Sequence, residues 1–89
     1  LGLIVIVEDG RVKGIVTDGD VRRAMERYRA DFFGIHAIDI ATLNPKTIAA
    51  ERKLIEAEKC MSQYKINSLL VTSPDGQLEG VIQLYDIKL

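Results

Sequence analysis

A stretch of about twenty residues occurs twice in this chain, at a constant offset of 66 residues. Residues 3–22 align without a gap on residues 69–88. The identical positions are Leu3/Leu69, Val5/Val71, Asp9/Asp75, Gly10/Gly76, Gly14/Gly80 and Asp20/Asp86. An internal repeat constrains a fold more than any other sequence signal, because each repeat is one supersecondary unit. The chain is therefore predicted to contain two copies of the same unit.

The first copy predicts a β-hairpin followed by a helix. Residues 3–7 are a continuous run of branched apolar residues, residues 12–16 are a second run, and Gly10 supplies the positive φ that the intervening turn needs. Since the run 3–7 is apolar on both faces, it is predicted to be a central strand covered on both sides. Residues 17–20 carry a helix start signal. The apolar side chains that then recur at helical spacing are Val21, Ala24, Met25 and Tyr28.

The second copy predicts the order β-α-β-β-α. A short strand at 46–49 leads to a helix at about 51–65, then to strands at 68–72 and 78–82 and to a helix that begins near Leu84. At the offset of 66, the counterpart of the first strand and helix falls before residue 1, so the first unit is expected to be incomplete at its N-terminus. Residues 30–44 lack periodicity and predict a connector that ends with Asn44 in an extended conformation before Pro45.

Composition limits the function classes. With 47% hydrophobic residues, the chain can bury a modest core, and a net charge of -1 gives it no electrostatic reason to bind nucleic acid or an anionic membrane. No apolar run reaches the length of about 18 residues that a transmembrane helix needs. One cysteine, Cys60, cannot form an internal disulfide, so cytoplasm is expected. The predicted core is Val5, Val7, Ile15, Val21, Met25, Leu54, Met61, Val71 and Val81.

The motif after the first hairpin, Gly14-Ile15-Val16-Thr17-Asp18-Gly19-Asp20, resembles that of the cystathionine-β-synthase (CBS) domain, which normally works as a pair. The resemblance covers essentially the whole chain. It implies an α/β (α+β) fold of tandem β-α-β-β-α units related by a pseudo-two-fold. Residues 1–34 would then be the C-terminal half of the first CBS motif, and residues 35–89 the second motif.

Several segments also resemble the C-terminal CBS pair of arabinose-5-phosphate isomerases. They are residues 17–23, 35–40, 44–48, 65–71 and 80–87. Enzymes of that family supply arabinose 5-phosphate for synthesis of Kdo, an acidic sugar of bacterial outer-membrane polysaccharide, and their catalytic domain lies N-terminal to the CBS pair. The resemblance implies a regulatory module of a homo-oligomeric isomerase, associated as a CBS-pair dimer. CBS pairs of sugar nucleotidyltransferases are similar in the first segment, so that parent stays open.

The start of the first predicted helix is the strongest candidate for a binding site. Its free N–H groups suit a phosphate, and the carboxylate of Asp20 suits both ribose hydroxyls. The candidate nucleotide-binding residues are Thr17, Asp18, Asp20, Arg22, Arg23 and Asp86. An alternative needs no ligand, because Thr-x-x-Asp is also the pattern of a capping box. The second copy departs from the motif, since Gln83 and Tyr85 replace Thr17 and Gly19.

The expected ligand is an adenosine nucleotide or cytidine-activated Kdo, and no cofactor is required. The other hypotheses are a ligand-free assembly module and a direct part in isomerase catalysis. The lone His36 cannot assemble a metal site or a catalytic triad, and Cys60 is interpreted as a packing residue. No metal site and no catalytic residue are therefore predicted in this chain.

Overall fold

The computed structural model describes residues 2–84, and the chain divides into two compact units, Leu1–Pro45 and Lys46–Leu89. The first unit contains β1 (Leu3–Glu8), β2 (Arg11–Thr17), α1 (Asp18–Tyr28), a 3-10 helix (Arg29–Gly34), α2 (Ala37–Ile40) and β3 (Thr42–Leu43). The strands form an antiparallel sheet in the order β1-β2-β3. No helix among the described residues is long and apolar enough to cross a membrane.

The second unit contains β4 (Thr47–Ile48), α3 (Leu54–Tyr64), β5 (Ser68–Thr72) and β6 (Leu78–Gln83). Its sheet has the order β4-β5-β6, with β4 parallel and β6 antiparallel to the central β5. The core of this unit is Ala57 and Met61 of α3 packed on Leu69 of β5. The neighbouring Leu70 is also buried, and successive strand residues point to opposite faces, so β5 is covered on both sides. The helix predicted to begin near Leu84 lies outside the described residues.

The prediction that residues 3–7 form a central strand is wrong. β1 lies at the edge of its sheet, and Ile4 and Val7 are 54% and 47% exposed. The corresponding strand of the second unit, β5, is central because β4 pairs with its free side. Among the described residues of the first unit, no strand pairs with β1 in that way. An apolar run alone therefore does not decide whether a strand is central.

The predicted core is correct in part. Met61 is buried, and Val5, Val21, Ile15 and Val71 are half-buried. The predicted core residues that are exposed are Val7, Met25, Leu54 and Val81. Val7 and Val81 lie on predicted strands, and Met25 and Leu54 lie on predicted helices, but these positions are left exposed by the arrangement of the elements. Helical or strand spacing identifies an apolar face, whereas the arrangement of elements decides which part of that face is buried.

The two hairpins differ by one residue of pairing, although the repeat has no gap in sequence. In the first, Asp9 and Gly10 both have positive φ (54° and 81°) and form a two-residue turn closed by Glu8 and Arg11. As a result Ile4 lies opposite Val16.

In the second hairpin, the turn begins at Ser73, whose carbonyl accepts from the N–H of Gly76, and Pro74 follows it. Proline fixes φ near the value that the second position of a type I turn requires, and Gly76 then supplies positive φ (88°). This longer turn sets Leu70, the counterpart of Ile4, opposite Val81. The counterpart of Val16 is Ile82, so the register of the second hairpin differs by one residue from that of the first. The turn residues, rather than the strand residues, set the difference.

The predicted connector contains structure that the sequence did not indicate. The 3-10 helix, α2 and β3 all lie within or next to residues 30–44, and β3 pairs with β2. Residues 35–45 therefore pack with the first unit, although the motif division at 34 and 35, which stays a prediction, assigns them to the second. Asn44 is not extended but has φ 52°, and its N–H donates to the carbonyl of Lys13. Asparagine is among the few residues that adopt this left-handed conformation readily.

The glycine of β2 offers a test of this packing. A Cβ added at Gly14 would lie 2.9 Å from the carbonyl oxygen of Thr42, which is backbone and cannot move without loosening β3. Gly14→Ala is therefore expected to lower the free energy of unfolding by about 1–3 kcal/mol. The matched control is Gly80→Ala at the repeat-related position, where the nearest atom, Val71 Cβ, lies 4.0 Å away. Its effect is expected within about 0.5 kcal/mol in urea titrations followed by circular dichroism, and equal effects of the two substitutions would contradict this account.

Candidate functional site

The candidate site lies where β2 ends and α1 begins. Thr17 is the last residue of β2 and the N-cap of α1, with an extended conformation (φ -104°, ψ 169°). An extended N-cap turns the chain from strand to helix while its carbonyl enters the first helical turn. Asp18 and Asp20 then occupy the first turn, where negative charge complements the partial positive charge of the helix terminus.

Thr17 and Asp20 form a reciprocal capping box. The Thr17 hydroxyl oxygen accepts from the N–H of Asp20 at 3.2 Å, and Asp20 Oδ2 accepts from the N–H of Thr17 at 2.8 Å. Two backbone donors that the helix cannot satisfy itself are thereby paired. The capping interpretation of Thr-x-x-Asp is therefore confirmed, and any ligand would bind a carboxylate that already has this structural role.

Asp20 also carries an ion pair. Arg23 Nη2 donates to Asp20 Oδ1 at 2.8 Å, and the Asp20 side chain is only 14% exposed whereas that of Arg23 is 64% exposed. Burial, which alone would raise the pKa of Asp20, is outweighed by the hydrogen bonds from the Thr17 backbone and from Arg23 and by the charge of Arg23. The pKa of Asp20 therefore lies below its ordinary value, and the carboxylate is ionised at neutral pH.

The guanidinium of Arg23 rests against Gly19. An ideal Cβ built at Gly19 would lie 3.1 Å from Nη1 and 3.3 Å from Nη2 of Arg23, so the guanidinium fills the space that a side chain would occupy. A basic residue near the start of a helix opposes the helix dipole, and the ion pair with Asp20 offsets the charge of Arg23, the sixth residue of α1. Sequence reasoning missed this contact, although the i, i+3 spacing of the two residues would have indicated it.

The remaining candidates, Asp18, Arg22 and Asp86, are not part of the Thr17–Asp20–Arg23 hydrogen-bond network. Both carboxylate oxygens of Asp18 lie 3.0 Å from the N–H of Gly2, which donates to them. Asp18 thus ties the segment before β1 to the start of α1. Arg22 is exposed and makes no ion pair within residues 2–84. Asp86 and the neighbouring Tyr85 lie outside the described residues, so their proposed roles stay predictions.

A separate cavity of about 270 Å³ lies in the second unit. Its lining residues are Ile48, Ala49, Ala50, Arg52, Lys53, Leu54, Ala57, Val71 and Ile82. The lining is mainly apolar, and Arg52 at its edge is paired with Glu56. Sequence reasoning did not identify this cavity, because its lining combines the loop before α3 with residues of β4, α3, β5 and β6, which no local motif brings together.

The two isolated candidates of the sequence have structural positions. His36 is exposed and is the N-cap of α2, and its N–H donates to Asp39 Oδ2 at 2.8 Å, as the N–H of Thr17 does to Asp20 in α1. Cys60 is half-buried and packs against the core of the second unit. Within the part of the chain that the structure describes, no three His, Cys, Asp or Glu side chains gather as metal ligands would.

Comparison with known proteins identifies the architecture. The family model of the CBS domain matches residues 1–27 and 37–88. The arabinose 5-phosphate isomerase KpsF of Escherichia coli is 35% identical over 85 residues, which cover 93% of this chain and 26% of that protein. The arabinose 5-phosphate isomerase KdsD of Pseudomonas aeruginosa is 35% identical over 88 residues, or 98% of this chain and 27% of that protein. The chain thus spans about a quarter of the length of these curated relatives.

A solved structure has the same fold. The CBS domain protein of Pyrobaculum aerophilum, complexed with AMP, matches with a TM-score of 0.80. The match covers 97% of this chain and 66% of that chain at 24% sequence identity. At this identity the similarity is evidence of the fold alone.

The lowered pKa of Asp20 predicts an acid-dependent part of the stability. A carboxyl whose pKa is lower in the folded state stabilises that state above its unfolded pKa of about 4, and the contribution is lost as the pH falls through the folded pKa. Asp20→Asn removes the titration but keeps an oxygen that can accept at the cap. The stability advantage of the unaltered protein over Asp20→Asn is therefore expected to be larger at about pH 6 than at about pH 3. Urea titrations at both pH values measure it, and a pH-independent difference would refute the assignment.

Proposed function

Since this chain belongs to the CBS-domain family, we propose that it is a regulatory module that binds a nucleotide or nucleotide-sugar at the start of α1. The observation that carries the proposal is the fixed, ionised carboxylate of Asp20. A carboxylate offers about four acceptor positions, and two are used, one by the Thr17 N–H and one by Arg23. The vicinal hydroxyls of a ribose would bind this carboxylate, at Oδ1 in place of Arg23, while Thr17, Asp18, Arg22 and Arg23 would lie near the ligand's phosphate end.

An adenosine nucleotide is the first ligand to test. The AMP complex of the Pyrobaculum aerophilum protein supports this choice. Cytidine-activated Kdo is the alternative, because it would be a logical feedback ligand if the parent protein makes arabinose 5-phosphate. Both contain a ribose and a phosphate, so the Asp20 carboxylate would be used by either. Asp86 would contribute less in the second copy, since Gln83 and Tyr85 interrupt the motif there.

The parent protein is proposed to be a cytoplasmic arabinose-5-phosphate isomerase of Kdo and lipopolysaccharide biosynthesis. The identities of 35% to KpsF and KdsD support this parent over a sugar nucleotidyltransferase. In this proposal the catalytic groups belong to a domain outside this chain, and the module itself takes no catalytic part. An isomerase assay of this chain alone tests that point, and measurable turnover would contradict it.

Substitution of Asp20 tests the ligand site. Asp20→Ala removes a charge-assisted hydrogen bond to the ligand worth about 1.5–3 kcal/mol, which corresponds to a loss of AMP affinity of about tenfold to hundredfold. Calorimetry with AMP and, separately, with cytidine-activated Kdo measures the loss.

Asp39→Ala is the matched control for Asp20→Ala, because the Asp39 carboxylate also accepts from the N-cap N–H of its helix, α2. It is expected to leave affinity within about twofold, and both variants are first checked by circular dichroism. Failure of the intact protein to bind either ligand, or an unchanged affinity of Asp20→Ala, would refute binding at this site.

Self-association is the second proposed function, carried by apolar side chains at the surface of the first unit. Phe33 is 89% exposed and Met25 is 54% exposed, and exposed apolar patches commonly mark interfaces. We infer a homodimer in which these side chains are covered by a second copy.

Light scattering tests the homodimer at two protein concentrations at least tenfold apart. A dimer mass is expected for the unaltered protein, and Phe33→Ser is expected to shift the mass toward the monomer. Ile38→Ser, which replaces another exposed apolar side chain of the same unit, is the control and is expected to keep the dimer mass. A monomer mass at both concentrations for the unaltered protein would refute this proposal.

A further inference from the structure

We propose that Arg23 makes the site selective for phosphorylated nucleosides by exchanging Asp20 for the phosphate of the ligand. Without a ligand, Arg23 occupies Asp20 Oδ1. A phosphate withdraws the guanidinium and leaves that oxygen free for a ribose hydroxyl. The inference rests on the proposed function and adds the residue that would decide which class of nucleoside binds.

The contact has the properties that such an exchange requires. The two charged groups are 2.8 Å apart, so Arg23 competes directly with any other donor to Oδ1. The Arg23 side chain is 64% exposed, whereas the Asp20 side chain is 14% exposed and is also fixed through its second oxygen. Arg23 is therefore the partner that can leave the ion pair. An ion pair with one solvent-exposed partner is weak, so a stronger anion can replace the carboxylate.

Gly19 allows the arginine to take this position. The guanidinium lies 3.1–3.3 Å from where a Gly19 Cβ would be, so a side chain there would displace the guanidinium by a few tenths of an ångström. The second copy of the repeat has Tyr85 and Leu89 at the positions of Gly19 and Arg23. The arginine and the glycine that accommodates it therefore occur together in the first copy and are both replaced in the second. The selective contact is a property of the first copy.

The exchange distinguishes ligands by their charge. A guanidinium can donate two parallel hydrogen bonds to a phosphate, and this recovers more than the bond that it gives up to Asp20. A nucleoside without a phosphate must compete with Arg23 for Oδ1, and it has no anionic group to which the displaced guanidinium could bind. Arg23 should therefore strengthen the binding of AMP and weaken the binding of adenosine.

Arg23→Met tests this pair of opposite effects, because methionine keeps an unbranched apolar side chain but has no charge. AMP affinity is expected to fall about tenfold or more, while adenosine affinity is expected to rise by up to about fivefold, both by calorimetry on the same protein preparation. The matched control is Arg27→Met, which removes the same charge from the same helix at a residue that lies over the ring of Tyr28 instead. Its effect on both ligands is expected within about twofold at physiological salt.

The outcomes separate this inference from the proposed function. If the unaltered protein binds AMP but Arg23→Met lowers the affinity for AMP and adenosine equally, or changes neither, Arg23 is not a selective residue and only the inference is wrong. If the unaltered protein binds neither AMP nor cytidine-activated Kdo, the proposed function is wrong and the inference with it. An opposite change for the two ligands supports both, since a purely structural role of Arg23 would move both affinities in the same direction.

Discussion

The reciprocal hydrogen bonds between Thr17 and Asp20 connect the sheet of the first unit to its helix. Both bonds involve a backbone N–H that would otherwise lack a partner at the strand-to-helix junction. Replacing one partner would leave a part-buried donor without an acceptor, which costs more than the net value of one hydrogen bond. The direction of α1, and with it the position of Arg23 above Gly19, follows from this junction.

The junction is supported from the other side by the close packing of β2 on β3. Gly14 lies three residues before Thr17, and its Cα hydrogen faces the carbonyl oxygen of Thr42 at a separation that excludes a Cβ. The segment that supplies Thr42 is the connector, which the sequence indicated to be irregular. The connector is thus part of the scaffold of the candidate site, because it fixes the strand from which the site begins. This explains why residues 35–45 belong to the compact unit Leu1–Pro45.

The sequence predicts those features that depend on neighbours along the chain. The two hairpins, α1, α3, the positive φ of Gly10 and the capping box all depend on spacings of a few residues, and the structure has all of them. The sequence-based prediction fails for burial and strand order, which depend on contacts between segments that are distant in the chain. Val7 and Leu54 are exposed because burial depends on which elements cover a face, and β1 is an edge strand because, among the described residues, only β2 pairs with it.

The candidate site shows the same division. The residues of the motif could be identified from the sequence, because each contributes to a local hydrogen-bond pattern. The i, i+3 spacing allows the pair of Arg23 with Asp20 but does not require it, since a basic side chain near the start of a helix can point to solvent, to a ligand or to a carboxylate one turn away. In the structure the guanidinium binds the carboxylate, because the Asp20 side chain is fixed in a largely buried position with Oδ1 accessible to Arg23.

The use of one carboxylate for both capping and ligand binding has a physical consequence. The capping bond uses Oδ2 and the arginine uses Oδ1, so a ribose can take the place of Arg23 without opening the cap. The group that must move is the exposed one, and the part-buried hydrogen bonds of the helix start remain in place. Binding in this manner would stabilise the folded state by mass action without a loss of helix-capping bonds. A site that required the Thr17–Asp20 bonds to break would bind its ligand more weakly, because each ligand bound would leave two backbone donors unsatisfied.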